Sequence, residues 1–524
     1  MSPVESTTIP QLLANAAQSF GDSPAVIDGG RHIGYRELDQ LRQQAACALL
    51  ALEIQAGERV AIWAPNIWEW IVAASALHSV GAVLVPLNTR MKGSEAAYVL
   101  RESGTSLLFA IGEFLGLDYP RQLAGEHLPQ LRQIVGLRGG AADCLGWAEF
   151  LALGRNIPAA VLARRQVAVT AQSLSDLLFT SGTTGRPKGV MTEHGQNLRV
   201  VRDWSEVVGL RQGERYLIVN PFFHSFGYKA GWLAALMRGC CIYPQQVFDV
   251  EQLLACVTRE RINVLPGPPT LYQSLLAHPR RGDYDLSSLR VAVTGAAAIP
   301  VQMIQRMRDE LGFATIVTAY GLTEACGFAS ICRPGDPAEL VANSSGRAMP
   351  GVELRCVDAQ GQPLPPGQAG ELLVRGYNLM RGYFNDPQAS LDAIDADGWL
   401  HTGDIGVLDA QGYLRITDRL KDMFITGGFN VYPAEIEQGL LQYPGLAQVA
   451  VIGIADERLG EVAMAFLLPA PGRRIETSAV LAWCRERMAN YKVPRRVQVV
   501  EALPLNAAGK VTKNVLREWA AREA

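Results

Sequence analysis

The residues with the most chemistry in them lie together. Leu178-Phe179-Thr180-Ser181-Gly182-Thr183-Thr184-Gly185-Arg186-Pro187-Lys188-Gly189-Val190 is thirteen residues of hydroxyls, glycines and one lysine, fed by the apolar end of a buried strand. Glycines let backbone N–H groups turn toward an anion, and the hydroxyls and lysine add donors and charge. That composition cradles phosphate. It is not a Walker A loop, because no Gly-Lys-Ser/Thr follows the first glycine at the required spacing to open a helix. Four further segments carry small polar, aromatic or glycine residues: Asn220–Gly227, Pro266–Thr270, Gly295–Ala298 and Ala319–Ala325. Singly, most of these would read as turns.

The elements that position these segments follow from periodicity. A hairpin with Gly29-Gly30 as its turn precedes a helix over Tyr35–Leu52. Strands Val60–Trp63, Ala82–Pro86 and Ser106–Ile111 then alternate with helices Trp68–Val80 and Lys92–Glu102, which predicts βαβ units and a parallel sheet. Strands Tyr216–Val219, Ile262–Leu265, Val291–Thr294 and Ile316–Thr318 each end in one of the four segments above. Ligands of such sheets bind in loops at the carboxyl ends of strands, so these segments outline one site. From Gly351 the pattern changes to hairpins, a small β subdomain. The charged stretch Thr417–Asp422 predicts the domain boundary, giving residues 1–418 and 419–524. The fold class expected is α/β: a large N-terminal domain of two parallel or mixed sheets plus the β subdomain, then a small mobile α+β domain.

Composition narrows the function classes. The chain has 524 residues, 48% hydrophobic and 19% charged, a composition that can supply a large core and argues against disorder. A formal net charge of −3 without a basic run argues against nucleic acid and anionic membrane surfaces. The nine cysteines show no metal-ligand spacing and read as reduced thiols. No apolar stretch reaches the roughly 18 residues of a membrane span, and the first residues lack a signal-peptide pattern. A cytoplasmic enzyme is expected, with a homodimer left open.

Five motifs, in order, resemble the adenylate-forming superfamily of acyl- and aryl-CoA ligases, peptide-synthetase adenylation domains and luciferases. They are the opening loop, Tyr320-Gly321-Leu322-Thr323-Glu324, Thr402-Gly403-Asp404, the block from Asp418-Arg419-Leu420-Lys421-Asp422 through Gly427-Gly428 to Glu437, and Gly509-Lys510. The resemblance covers essentially the whole chain. It implies that a carboxylate and ATP give an acyl-adenylate and pyrophosphate, after which coenzyme A gives a thioester and AMP. The resemblance places the β- and γ-phosphates on Ser181, Gly182, Thr183, Thr184, Gly185 and Lys188. Magnesium falls to Glu324 with Thr180, adenine to Tyr320 and Gly321, ribose to Asp404, and further nucleotide contacts to Thr323 and Arg419. Lys510 is the catalytic cation for adenylation, Lys421 the hinge, and Gly427-Gly428 the lining of the pantetheine tunnel. Glu435 and Glu437 read as helix-capping residues. His224 is expected beside the acyl group, since an ionised carboxylate nucleophile requires no base. The acyl pocket is expected to draw on Phe222, Phe223, Ser225, Phe226, Tyr228, Lys229, Gly267, Gly295, Ala296 and Ala297, with Lys229 facing a polar group at the distal end of the substrate.

Asn220–Gly231, Leu265–Leu275 and Leu289–Pro300 are most similar to bacterial ligases that activate the propanoate side chain of a two-ring steroid fragment. Medium- or long-chain fatty-acid ligases and aryl-acid ligases share most of the same loops. An adenylation enzyme loading a carrier protein differs only in the thiol acceptor. A P-loop phosphotransferase is disfavoured by the loop spacing, and a non-catalytic relative by the presence of Glu324 and Lys510.

Overall fold

The alternation of apolar strands and helices builds two mixed sheets in the computed structural model, which describes residues 6–139, 143–180, 187–295, 299–419, 422–426, 429–431, 433–456, 459–488, 490–506 and 511–522. The chain packs as two units, Met1–Glu353 with Val374–Leu400 and Leu354–Leu373 with His401–Ala524.

In the first unit an eight-stranded sheet runs Gly382–Tyr383, Lys188–Glu193, Leu174–Thr180, Val83–Pro86, Arg59–Trp63, Leu107–Ala110, Gln133–Gly136, Leu145–Gly146. Its last six strands are parallel, and the Leu174–Thr180 and Lys188–Glu193 strands form an antiparallel hairpin. The second sheet joins two four-stranded parts. One runs Arg215–Ile218, Cys241–Pro244, Pro24–Asp28, Arg31–Gly34, the other Val291–Gly295, Thr315–Tyr320, Ser330–Ile331, Arg347–Ala348. The strand predicted over Ile262–Leu265 is reduced to a bridge at Val264, which pairs with Tyr216 and Val291 and so links the two parts. Pro266, Pro268 and Pro269 follow at once, and without N–H groups they cannot extend the ladder.

The helix Trp68–Ser79 touches strands of both sheets, and every residue but Trp68 is buried. A helix that is apolar all round belongs inside. Val301–Leu311 shows the opposite pattern: Met303, Ile304, Met307 and Leu311 are buried on one face, and the rest of the helix faces outward. No described helix is long and apolar enough to cross a membrane.

A sheet in the order Val352–Val357, Ala369–Gly376, Leu400–Leu408, Leu414–Arg419 falls mostly in the second unit. A second sheet runs Phe429–Val431, Phe424–Thr426, Gly460–Pro469, Leu446–Asp456, with Arg496–Val499 beside Gly460–Pro469. Side chains on a strand alternate between faces. Val451, Ala463, Ala465 and Leu467 accordingly pack on Ile436, Leu440, Val480 and Cys484 from two helices. Their neighbours Ala450, Ile452, Met464 and Phe466 pack on Leu516 and Ala520 of the helix Lys513–Arg522. The large α/β part and small α+β part are those expected; the strands read as an N-terminal β subdomain pack largely with the second unit.

Candidate active site

Residues 181–186 lie outside the described structure, and so do Ser181, Gly182, Thr183, Thr184 and Gly185 of the phosphate-cradling stretch. The hairpin that carries it is described. Thr180 and Lys188 are cross-strand partners, which places both ends of the loop side by side at one edge of the sheet. Lys188 lies 3.8 Å from Asp386, and its ammonium sits 5.1 Å from the ring centre of Tyr383. Its charge is therefore held in place while its side chain keeps 25% of its exposure.

Gly295 and Tyr320 stand at the carboxyl ends of adjacent parallel strands, with Gly295 opposite Ala319. A Cβ on Gly295 would lie 2.4 Å from the Ala319 carbonyl oxygen, so only glycine fits. After Tyr320 the chain makes a tight turn. A Cβ on Gly321 would lie 2.0 Å from the Gly327 carbonyl oxygen, so this glycine serves the turn itself. Thr323 and Glu324 open a single 3-10 turn, Thr323–Ala325. Asn378, fully buried, donates to the Phe328 carbonyl at 2.7 Å and the Ala325 carbonyl at 3.4 Å. The Met380 N–H donates to the Glu324 carbonyl at 2.7 Å, and the Tyr383 hydroxyl donates to Glu324 Oε1 at 3.0 Å. Burial, Glu324 and Asp386 all push the Tyr383 hydroxyl upward, so it remains a donor. Among the described residues no three His, Cys, Asp or Glu side chains gather to cage a metal. A single carboxylate is a donor set that suits magnesium, which takes few protein oxygens and completes its shell with other oxygens and water.

The segment after Arg215–Ile218 packs against that turn. Asn66 donates to the carbonyls of Ile218 and Asn220 and accepts the Phe222 N–H at 2.7 Å, pinning the loop entry. Phe226 meets Phe328 and Trp204 at ring separations of 5.8 and 6.0 Å, and a Cβ on Gly327 would lie 3.2 Å from Ser225. His224 is exposed and accepts the Phe226 N–H on Nδ1 at 3.3 Å. Phe226–Leu233 is a π-helix, a widened winding common at functional sites.

Three pocket expectations, at Phe222, Tyr228 and Lys229, require correction. Phe222 is fully buried, with its ring 5.5 Å from Trp70 in an aromatic core that includes Tyr228 and Trp232. Lys229 is also fully buried, and its ammonium lies 3.8 Å from Asp176 Oδ1 and 3.4 Å from Thr192 Oγ1. A lysine in this interior requires a carboxylate partner, and Asp176 supplies it. Asp176 also accepts from Ser175 at 2.7 Å, Asn197 at 2.7 Å and Thr192 at 2.5 Å. Next to this network His78 donates from Nε2 to the Ser175 carbonyl at 3.1 Å. Burial lowers His78 to about 4 despite the opposing pull of Asp176, so its ring is neutral at pH 7. Ala296 and Ala297 lie outside the described residues.

In the second unit Asp404 and Arg419 are cross-strand partners, so two candidates distant in sequence share one register. Asp404 is 7% exposed. Its N–H donates to Thr402 Oγ1, and Thr402 Oγ1 donates to the Leu372 carbonyl at 2.7 Å. Gly403, at φ +66°, donates its N–H to Glu371. Glu437 accepts the Val451 N–H and pairs with Lys513 at 2.9 Å, and Glu435 pairs with Lys492. Both glutamates thus tie their helix to neighbouring elements through ion pairs, where helix capping was expected. Lys421, Gly427, Gly428 and Lys510 lie outside the described residues. Thr426 pairs with Phe429 across the glycine pair, and Leu505 bridges Val511 across the segment that contains Lys510.

Asn66, Asn378 and Tyr383 were missed in the sequence. Their signals were a loop following a strand for Asn66, and the Gly/Tyr/Asn/Pro cluster Gly376–Pro387 for the other two.

The model of the AMP-binding enzyme family matches residues 13–384, and that of the AMP-binding enzyme C-terminal domain residues 435–510. The chain is 47% identical to the 3-[(3aS,4S,7aS)-7a-methyl-1,5-dioxo-octahydro-1H-inden-4-yl]propanoyl:CoA ligase of Rhodococcus jostii (strain RHA1), over 98% of each chain. It is 50% identical to the ligase of the same name from Mycobacterium tuberculosis (strain ATCC 25618 / H37Rv), again over 98% of each. Among solved structures it is similar to the anthranilate CoA ligase AuaEII in complex with anthranoyl-AMP, with a TM-score of 0.88, 27% identity and 99% of each chain covered.

Proposed function

The chain belongs to the AMP-binding enzyme family and is an ATP-dependent acyl-CoA ligase, and from that premise we propose that its acid is a propanoate carried on a two-ring steroid fragment. The observation that carries this reading is the near-whole-chain similarity to two ligases named for such an acid. The interior supports it. With the Lys229 charge neutralised by Asp176, the π-helical wall offers no free cation to a charged distal group. An uncharged, largely apolar ring system suits a site proposed to be flanked by Phe226 and Gly295.

The reaction sets the residues their tasks. The attacking carboxylate is already ionised at pH 7, so the difficulty is its approach to an anionic α-phosphate. Positioning and preorganised positive charge must supply the catalysis. In this proposal Thr180, the loop 181–185 and Lys188 hold the leaving pyrophosphate, and Tyr320, Gly321 and Thr323 border the adenine. Asp404 accepts the ribose hydroxyls, Arg419 contacts the nucleotide, and Lys510 meets the charge developing at the α-phosphate. Glu324 with Thr180 would hold magnesium, which supplies charge neutralisation of the phosphates when bound. Lys421 is proposed as the hinge at the 418/419 boundary, and Gly427-Gly428 as the passage for the thiol arm.

AMP release with coenzyme A across fatty, aryl and bicyclic propanoic acids tests the substrate. The methylindanedione propanoate is expected to give a kcat/KM at least about tenfold above the other acids, since even one methylene in an apolar pocket is worth about 1–3 kcal/mol. A fatty or aryl acid as the best substrate would refute the steroid-fragment reading.

A further inference from the structure

The segment from Tyr377 to Asp386 returns to the eight-stranded sheet, where Gly382–Tyr383 adds an edge strand beside Lys188–Glu193. Val190 faces Tyr383 in this pairing, so the tyrosine is fixed by the backbone of the hairpin that carries the phosphate loop. Its two ends then reach different groups. The hydroxyl donates to Glu324 Oε1 at 3.0 Å, and the ring face lies 5.1 Å from the Lys188 ammonium. The Met380 N–H holds the Glu324 backbone at 2.7 Å, so the glutamate is gripped at both main chain and side chain.

We infer that Tyr383 is a positioning residue for adenylation, aiming the Glu324 carboxylate and the Lys188 ammonium at the nucleotide's phosphates. Glutamate and lysine side chains lose considerable rotamer freedom when ordered. A tyrosine with two torsions, anchored in a sheet, orders them before the substrate arrives. The hydroxyl occupies one carboxylate oxygen and leaves the other for a hard cation. The ring attracts the ammonium through its π-face. Asp386, 3.8 Å from the ammonium, completes the cradle.

This inference rests on the phosphate and metal roles given above to Lys188 and Glu324. It is tested on the full chain by calorimetric titration of ATP with magnesium and with EDTA, using Tyr383→Phe, Tyr383→Leu and Glu324→Gln, with thermal midpoints and steady-state constants alongside. Tyr383→Phe removes one hydrogen bond to a charged group. It is expected to lose about tenfold of the magnesium-dependent gain in ATP affinity, with an unchanged thermal midpoint and an unchanged KM for the acid. Tyr383→Leu also loses the ring and is expected to weaken ATP binding in EDTA as well. If Tyr383→Phe keeps the full magnesium-dependent gain while Glu324→Gln loses it, the role of the hydroxyl is overturned. If Tyr383→Leu and Tyr383→Phe bind ATP equally in EDTA, the contribution of the ring to Lys188 is overturned. A Glu324→Gln variant that keeps the gain overturns the assignment of Glu324, and this inference with it.

Discussion

Lys510→Ala is expected to lower acyl-adenylate formation about a hundred- to a thousand-fold, while thioester formation from supplied acyl-adenylate stays near that of the parent. Loss of one preorganised charge contact to a transition state costs about 3–4 kcal/mol. The selectivity is what identifies the role. Lys510 follows Gly509 in a segment bracketed by the Leu505–Val511 bridge, ahead of the helix Lys513–Arg522. Single-turnover measurement of each half-reaction checks the expectation, and equal loss of both steps would rule the assignment out.

Lys229→Met is expected to destabilise the first unit by about 3–5 kcal/mol, because it leaves Asp176 as an uncompensated buried charge. Asp176 and Lys229 are both 0% exposed, so solvent cannot replace the lost partner. Replacing both residues, Asp176→Asn with Lys229→Met, is expected to recover most of the loss, since buried pairs cost nearly as much to desolvate as they return. Denaturant unfolding monitored by tryptophan fluorescence reads this directly, with Trp70, Trp204 and Trp232 all buried in the unit. A single variant as stable as the parent would show that Lys229 does not serve Asp176.

The same pair shows where sequence reading succeeded and where it stopped. The strand that feeds the loop from Ser181 to Lys188 was legible because an apolar run ends there in glycines and hydroxyls. The loops after Val291–Gly295 and Thr315–Tyr320 were legible because strand–helix alternation fixes which ends of a parallel sheet carry ligands. Lys229 was misread because one segment cannot reveal that a π-helix turns the lysine toward a strand fixed by other contacts. Phe222 was misread in the same way: an aromatic in a candidate loop looks like pocket lining until Trp70 is found against it. Tyr383 and Glu324 meet only through sheet pairing, and no local pattern encodes that contact. Asp404 and Arg419 were chosen separately, and the register that makes them neighbours came from the fold.

The reaction implies a specific fate for one atom, and oxygen transfer follows it most directly. If the carboxylate attacks the α-phosphate and the thiol then attacks the acyl carbon, one carboxylate oxygen must leave with AMP. With the acid labelled by oxygen-18 in both carboxyl oxygens, mass spectrometry of AMP after reaction with ATP and coenzyme A is expected to show one labelled oxygen per molecule. Unlabelled AMP, or ADP and phosphate in its place, would contradict an acyl-adenylate route and with it the functions proposed for Lys188, Glu324 and Lys510.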